Sequence, residues 1–393
     1  MPGREINQDK GAIQLSKDKR PQNYRYFDIL KDHLKGDLSL IFSGKVVYPR
    51  QIEIHLPGDH KRFCNFNCPY CQGNLLLRPT VPYEEDALEL IKKLAGKIPY
   101  YIYGGAYSEP LLNPYFLRFL NLTKQIGSHF GIHTNGSLLL RLEKSESFLS
   151  EIFRIADSPL DYLSISLDAG TAKSHMASKR IKYNWFDEII EGLRIIADIK
   201  RRASGPEKLS LRVVYLLNEH NSSPEEILGI IKLMKEIGVD SLRFSIPYAV
   251  YGQAFDVCRK YKKDVEVVKD KEFEEFFGPL VSKDTSEKPY IFYFPPDYQD
   301  VDRMNYKYCV YCYYQITIGA DGYVYRCSST ASPTFMMNQL GPVTSDLKEF
   351  EDMILLNEDP DFRPSTCFRV GARCNRMALE INEAYNRMRE KNG

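Results

Sequence analysis

Short apolar runs alternate with amphipathic segments from Gln51 onward, over roughly two hundred residues. The runs resemble strands, at 51–56, 100–106, 129–135, 162–168, 209–217 and 241–248. The segments between them repeat apolar residues at helical spacing, at 83–97, 114–127, 142–156, 185–202 and 223–238. Because parallel strands need a crossover connection, this alternation predicts βαβ units and a parallel sheet. Six strands are fewer than the eight of a closed barrel.

Polar and apolar residues alternate within these strands, so each strand has one polar face. The polar faces carry Glu53 and His55 in the first strand, Tyr162, Ser164, Ser166 and Asp168 in the fourth, and Arg243 and Ser245 in the sixth. The helices must cover the apolar faces, so the polar faces are expected to line a wet interior for a polar ligand. The alternative is a face exposed to solvent, as in an open antiparallel sheet.

Three cysteines follow the first predicted strand in the order Cys64, Cys68 and Cys71. Their C-x3-C-x2-C spacing is too irregular for a zinc knuckle, whose ligands come in two short pairs. Three thiolates fit an iron–sulfur cluster that keeps one iron open. Chance thiols, or three ligands of a structural zinc, are the alternatives.

This spacing, with the aromatic Tyr70 just before the third cysteine, resembles the signature of the radical S-adenosylmethionine (SAM) enzymes. The resemblance implies that the three cysteines hold a [4Fe–4S] cluster and that SAM chelates the exchangeable fourth iron. One electron then cleaves SAM to methionine and a 5′-deoxyadenosyl radical, which takes a hydrogen atom from the substrate. The family's fold is a six-stranded partial barrel with the cluster loop after its first strand, which agrees with the pattern of this chain.

Loops after the strands carry further similarities to this family, at the end where a parallel barrel places its site. The turn beginning at Gly104 is similar to the family's Gly-Gly-Glu-Pro turn, which binds the SAM amino group, although Glu109 lies three residues further on. A simple glycine turn is the alternative there. Thr134 and Asn135 resemble the family's turn near the ribose. By resemblance, SAM contacts are expected from Tyr70, Gly104, Gly105, Ser108, Glu109, Thr134, Asn135, Ser164, Ser166, Asp168 and Arg212, the last on the methionine carboxylate.

A second group of cysteines surrounds a predicted β-hairpin with its turn at Asp321-Gly322. The group consists of Cys309, Cys312, Cys327, Cys367 and Cys374. A structural zinc ribbon is the simple interpretation. The Cys-x12-Gly-x4-Cys spacing, however, resembles the SPASM or twitch domain, which implies one auxiliary [4Fe–4S] cluster held by Cys309 or Cys312 together with Cys327, Cys367 and Cys374.

The fifth thiol of this group bears on the reaction. If Cys309 or Cys312 is free near the substrate, it can return a hydrogen atom to a substrate radical, as an epimerase requires. If neither is free and the auxiliary cluster accepts an electron, oxidation or cross-linking is expected instead. The sequence does not choose between these outcomes.

Charge and cysteine content restrict the partners. With a net charge of +1, no global field recruits nucleic acid or a membrane surface. The polar N-terminus lacks a signal-peptide pattern and no apolar stretch has the length of a membrane span, so a cytoplasmic protein is expected. Nine cysteines in a reducing compartment favour metal ligands or catalysis over disulfides, although Cys258 is expected to be a plain thiol.

The predicted fold class is α/β, a partial (β/α)6 TIM-like barrel with a small C-terminal domain of a β-hairpin and helix. The predicted division is an N-terminal extension at 1–47 with a helix packed outside the main domain, the barrel at 48–250, a linker at 251–308, and a twitch-like or SPASM-like domain at 309–393. The two clusters are expected in separate parts of this division.

The leading hypothesis is a radical SAM oxidoreductase or epimerase acting on a polar small molecule of natural-product type. Such an enzyme needs an electron donor such as flavodoxin or ferredoxin. A maturase of a ribosomally made peptide is the alternative within the same chemistry. A zinc-stabilised scaffold without catalysis is the alternative outside it.

Overall fold

The computed structural model describes residues 26–58, 64–66, 68–69, 71, 82–105, 108–140, 145–203, 208–245, 279, 290–294, 309–328, 331, 339–357, 381–382, 384–388 and 390. Tyr70, Cys258, Cys367 and Cys374 lie outside the described residues, as does most of the predicted linker. The predictions made for those positions therefore stay predictions.

The six predicted strands are confirmed, and each pairs in parallel with its neighbour. They are β1 (Gln51–Ile54), β2 (Tyr100–Tyr103), β3 (His129–Thr134), β4 (Tyr162–Ser166), β5 (Ser210–Leu216) and β6 (Ser241–Ser245). Each strand ends before its predicted boundary. After β2 and β4, the backbone turns at positive φ angles, at Gly104 (+103°) and Asp168 (+56°).

The predicted helices are also confirmed, with one addition. The helices are α1 (Tyr26–His33), α2 (Glu84–Lys93), α3 (Phe116–Gln125), α4 (Ser145–Ile155), α5 (Ala172–Lys179), α6 (Phe186–Arg202), α7 (Pro224–Ile237) and α8 (Leu347–Asn357). The short helix α5 was not predicted because its sequence has no apolar stripe. It is instead started by a capping box between Thr171 and Ser174.

The apolar faces of the strands pack against the helices. Ile54 of β1 and Ile165 of β4 are fully buried in one cluster with Leu193 of α6 and Ile230 of α7. The predicted alternation is thus confirmed, and the polar residues of β1 to β6 occupy the opposite face of the sheet, named here the lumen face. The charges of Arg212 on β5, Glu53 on β1 and Arg243 on β6 all affect the pKa of Tyr162 on β4.

Four further strands extend the sheet at its two edges. One edge gains β7 (Ile291–Phe294), which pairs in parallel with β6. The other gains β8 (Gln315–Ile318), parallel to β1, followed by the antiparallel β9 (Tyr323–Tyr325) and β10 (Gln339–Pro342). The ten-stranded order is β10-β9-β8-β1-β2-β3-β4-β5-β6-β7, and the sheet does not close.

Two of these edge strands differ from the sequence-based expectation. Strand β7 lies inside the segment predicted as a linker, where a run of only four apolar residues gave no periodic signal. The predicted hairpin is present as β8 and β9, with Gly322 at φ +81° in its turn. Its parallel pairing with β1 was not predicted, because sequence patterns do not show which strands become neighbours across long separations.

The N-terminal helix α1 packs against the second cysteine region. Leu30 and Leu34 are buried with Tyr311, Cys312 and Ile381. Nε2 of His33 also lies 2.9 Å from the carbonyl oxygen of Tyr48, at the start of the predicted barrel segment. The packing of α1 outside the main domain stays a prediction. Within the described part of the chain, no helix combines the length and the apolar character that crossing a membrane requires.

Candidate active site

The first cysteine group lies on the loop that follows β1. The backbone N–H of Cys71 donates to the carbonyl of Cys68 at 3.0 Å, which forms a turn between these two residues. Cys68 is buried, whereas Cys64 and Cys71 are half-buried. Burial, and next the negative charge of Glu109, raises the pKa of the Cys64 thiol. Binding a metal cation would reverse this effect, because coordination deprotonates a thiol.

Amide groups fix this loop against the end of β3. The side-chain Nδ2 of Asn135 donates to Cys64 Sγ at 3.4 Å and to Asn65 Oδ1 at 2.9 Å. Asn65 in turn donates to the hydroxyl of Ser137 at 2.7 Å, and the N–H of Phe66 donates to Cys64 Sγ at 3.4 Å. The sequence analysis predicted Asn135 but missed Asn65, whose position inside the cysteine motif could have indicated it.

Glu109 is 1% exposed and joins the second loop to the third. Its Oε1 accepts from the Thr134 hydroxyl at 2.6 Å and its Oε2 from the backbone N–H of Asn135 at 2.7 Å. Burial raises the pKa of Glu109 to about 7, against the opposing effect of these hydrogen bonds. Three residues predicted from two loops, Glu109, Thr134 and Asn135, are therefore in one hydrogen-bonded network with Cys64.

Gly104 and Gly105 bring their backbone close to neighbouring strands. A Cβ at Gly104 would lie 2.1 Å from the carbonyl oxygen of His133, and one at Gly105 would lie 2.1 Å from Nε2 of His55. No larger residue fits either position, which explains the paired glycines physically. Ser108 forms an isolated bridge with Gly105, so it belongs to the same turn.

Asp168, Ser166 and Lys179 form a second buried cluster at the end of β4. Lys179 is 2% exposed and forms an ion pair with the fully buried Asp168, and its Nζ also donates to the carbonyl of Ser166 at 3.1 Å. Asp168 Oδ1 accepts the backbone N–H of Leu216 at 2.8 Å. The carboxylate of Asp168 thus holds β4, β5 and α5 together, and its predicted contact with SAM stays a prediction.

Lys179 was missed by the sequence analysis and faces the cysteine loop. Its pKa is raised: burial alone would lower it, but the charges of Asp168, Cys68 and Cys64 outweigh burial. The same helix carries His175, which is fully buried and packs its ring against Phe66 of the cysteine loop at 6.1 Å. Burial, and next the charge of Lys179, lowers the pKa of His175 to about 4.

The donor set fits a [4Fe–4S] cluster. Three thiols on one loop are the ligands such a cluster needs, and two amide N–H donors already point at one of them. The buried ammonium of Lys179 would compensate the negative charge of thiolates at Cys64 and Cys68. Neither ring nitrogen of His175 has a hydrogen-bond partner among the described residues, so a hydrogen-bond donor and an acceptor remain beside the cysteine loop.

Arg212 lies on the lumen face of β5. Its guanidinium carbon is 4.1 Å from the ring centre of Tyr162, and its Nε donates to the hydroxyl of Ser210 at 3.1 Å. Ser164 stands opposite Arg212 in the register of β4 and β5, and is 4% exposed. The described contacts of Arg212 are with the lumen face, and its predicted role at the methionine carboxylate stays a prediction.

The second cysteine group is only partly described. Cys309, Cys312 and Cys327 belong to one apolar cluster. Cys312 Sγ donates to the carbonyl of Cys309 at 3.4 Å, and Nδ2 of Asn382 donates to Cys309 Sγ at 3.5 Å. The predicted partners Cys367 and Cys374 lie outside the described residues, so the auxiliary ligand set stays a prediction.

A comparison with protein-family models matches the part of the chain that contains this site. The family model of the Radical SAM superfamily matches residues 59–228, a range that contains the three cysteines, Glu109 and Asp168. No curated protein sequence matches the chain.

Solved structures with the same fold include the crystal structure of Streptococcus suis SuiB bound to precursor peptide SuiA, with a TM-score of 0.57 and 15% identity over 89% of this chain and 74% of that one. The structure of SuiB bound to S-adenosylmethionine has a TM-score of 0.51 and 14% identity over 75% of this chain and 63% of that one. The structure of polyhistidine-tagged anSMEcpe with bound AdoMet has a TM-score of 0.49 and 17% identity over 80% of this chain and 81% of that one.

The fold and the site define a partial-barrel α/β enzyme of the radical SAM class. The chain carries a Radical SAM domain at residues 59–228. Such a domain implies a [4Fe–4S] cluster and SAM as cofactors.

Proposed function

We propose that this chain cleaves SAM reductively and uses the resulting radical to abstract a hydrogen atom from a polar substrate held against the lumen face. One observation carries the proposal. Asn135 donates its side-chain amide to Cys64 and its backbone N–H to Glu109, so this residue connects the cysteine loop with the buried carboxylate. When bound at Cys64, Cys68 and Cys71, a [4Fe–4S] cluster supplies the electron that cleaves SAM. A donor such as flavodoxin or ferredoxin would provide that electron.

The residues around the cysteines have separate roles in this proposal. Asn135 and Asn65 orient the cysteine loop. Burial raises the pKa of Glu109 to about 7, and a cation bound beside it, such as the SAM amino group, would lower that pKa and favour the carboxylate. Gly104 and Gly105 let backbone groups approach SAM, and Ser164 lies on the lumen face below. Oxidation or epimerisation of a small molecule of natural-product type is the outcome proposed first.

A peptide substrate is the second candidate. It is supported by the likeness of nearly the whole chain, 89%, to SuiB in complex with a precursor peptide. The auxiliary [4Fe–4S] cluster at Cys309 or Cys312 with Cys327, Cys367 and Cys374 is part of both candidates. In an oxidation, this cluster would accept the electron that the substrate radical loses. In an epimerisation, whichever of Cys309 and Cys312 does not bind the cluster would donate a hydrogen atom to the substrate radical.

The first test compares wild type with the Cys64→Ala/Cys68→Ala/Cys71→Ala variant after anaerobic reconstitution. We expect 5′-deoxyadenosine from SAM and dithionite with wild type and none with the variant, because the three thiols are the only proposed protein ligands of the cluster that cleaves SAM. The Cys258→Ala variant is the matched control and should retain cleavage. SAM cleavage by the triple variant would refute the proposal, and a colourless zinc protein would favour the scaffold.

Iron content tests the auxiliary cluster in the same samples. About eight irons per chain in wild type and about four in the triple variant indicate two clusters. The Cys327→Ala variant should also fall to about four while still cleaving SAM. If wild type holds about four irons and the triple variant none, the auxiliary cluster is excluded.

A further inference from the structure

Two arginines face the lumen from neighbouring strands. Leu242 and Phe244 of β6 are fully buried under the helices, so Arg243 between them lies on the lumen face with Arg212 of β5. Arg243 pairs in register with Val214, which puts it two residues along from Arg212. With strands about 4.8 Å apart and two residues spanning about 6.7 Å, their Cα atoms are roughly 8 Å apart. Both side chains are half-buried.

The lumen-face side chains next to Arg212, on β4 and β3, are neutral and fixed. The Tyr162 hydroxyl and His133 Nε2 are hydrogen-bonded at 2.8 Å, and the Tyr162 ring carries the Arg212 guanidinium. A Cβ at Gly131 would lie 2.3 Å from Cζ of Tyr162, so a glycine is needed for the ring to cross the lumen face. Burial, and next the charge of Arg243, lowers the pKa of His133 to about 4, so it is uncharged at neutral pH.

The acidic residues of this face are engaged by other partners. Glu53 accepts from Nε2 of Gln315 at 2.7 Å and lies 2.5 Å from Nε2 of His55, both on the β8–β1 side of the sheet. Asp168, at the end of β4, forms its ion pair with Lys179. Arg212, in contrast, has no carboxylate within salt-bridge distance among the residues that the structure describes.

We infer that the lumen face recognises an anionic oxygen group of the substrate, a carboxylate or a phosphate, through Arg212 and Arg243, in place of the contact between Arg212 and the methionine carboxylate of SAM that the family resemblance implies. Guanidinium groups bind such groups through paired N–H donors, and the hydrogen bond between Tyr162 and His133 fixes the ring over which the Arg212 guanidinium lies. The inference rests on the proposed function, because it names a chemical feature of the substrate held at that site. It adds that the anionic group lies at β5 and β6, on the side of the sheet away from Glu53.

The test is a calorimetric titration of the anaerobically reconstituted full chain with succinate and, separately, with inorganic phosphate, at constant ionic strength in sodium chloride. We expect one or both anions to bind wild type. Binding should weaken by about tenfold or more in Arg212→Met and Arg243→Met, because hydrogen bonds to charged groups are lost. The matched control Arg194→Met removes an exposed arginine of α6 and should bind as wild type does. Succinate binding alone assigns a carboxylate, and phosphate binding alone assigns a phosphate.

A measurement on wild type covers the case in which the Met variants do not fold. Phenylglyoxal modifies accessible arginines, and peptide mass analysis reports each site. Saturating succinate or phosphate should protect Arg212 and Arg243 at least about fivefold and leave Arg194 unprotected, as two-point binding requires. Absence of binding and protection in wild type would overturn the inference, as would equal losses in Arg194→Met. Because SAM cleavage is not involved, chain that cleaves SAM without binding anions refutes this inference alone, and the reverse result refutes the proposed function alone.

Discussion

His175 is a fully buried imidazole between Phe66 and Phe186, and burial holds its pKa near 4 against an ordinary value of 6.5. Between these values the unfolded chain binds the proton and the folded chain does not, so stability is lost as pH falls below about 6.5. The His175→Phe variant removes this titration and fills the same space. From pH 7 to pH 5 it should therefore lose about 2 kcal/mol less unfolding free energy than wild type.

Urea unfolding followed by circular dichroism at both pH values measures this difference. His220→Phe is the matched control, because His220 is exposed and should leave the wild-type pH dependence unchanged. Equal pH dependence in wild type and His175→Phe would show that the imidazole is protonated in the folded chain and has found a partner.

At the residue scale, the sequence predicted the cluster ligands but not the residues that support them. Cys64, Cys68 and Cys71 lie within eight residues of chain, so their spacing alone indicates the chemistry. Asn65 and Lys179 act through partners 70 and 11 residues away, and nothing in a single sequence marks those pairings. Glu109 was predicted from its resemblance to a family turn, and the structure adds its bonds to Thr134 and Asn135.

Helix α5 depends on one buried ion pair at its C-terminal end. In Lys179→Met, the carboxylate of Asp168 remains buried without its counter-charge, so we expect a loss of about 3–5 kcal/mol in unfolding free energy. The double variant Asp168→Asn/Lys179→Met removes both charges and should lose less than the sum of the two single variants. Urea unfolding of the three variants and wild type measures this coupling.

Lys173→Met supplies the control on the same helix, because Lys173 is exposed. It should change stability by less than about 0.5 kcal/mol. If Lys179→Met costs no more than Lys173→Met, the pair does not hold α5 to β4, and Lys179 is then available for other contacts near the cysteine loop.

At the element scale, periodicity located five crossover helices and six strands because each has a continuous apolar face. It failed where that signal is missing. Helix α5 is started by Thr171 and Ser174 rather than by an apolar stripe, and β7 is four residues long. Pairing of β8 with β1 depends on contacts across more than 260 residues, which no local pattern reports.

At the scale of the whole molecule, Gln315 connects the C-terminal hairpin to the barrel strands. Its Nε2 donates to Glu53, and its Oε1 accepts from Nε2 of Gln51 at 2.5 Å and from the Tyr311 hydroxyl at 3.0 Å. Gln315 is fully buried, so Gln315→Leu leaves polar partners unsatisfied and should cost about 2–4 kcal/mol. The exposed Gln125→Leu of α3 is the matched control and should cost less than about 0.5 kcal/mol.

The way in which this loss is distributed tests whether the hairpin and the barrel unfold together. Trp185, the single tryptophan, reports on the barrel beside Phe66, and hydrogen exchange of the β8 amides reports on the hairpin. Since β8 and β1 share one sheet, we expect coincident transitions for both probes in wild type and an equal shift of both in Gln315→Leu. If β8 exchanges early while the Trp185 transition stays at its wild-type position, the hairpin is a separate unit, as the predicted division at residue 309 proposes. A common shift would instead mean that pairing with β1 holds the second cysteine region in place. Loss of metal from that region would then also destabilise β1 and the cysteine loop that follows it.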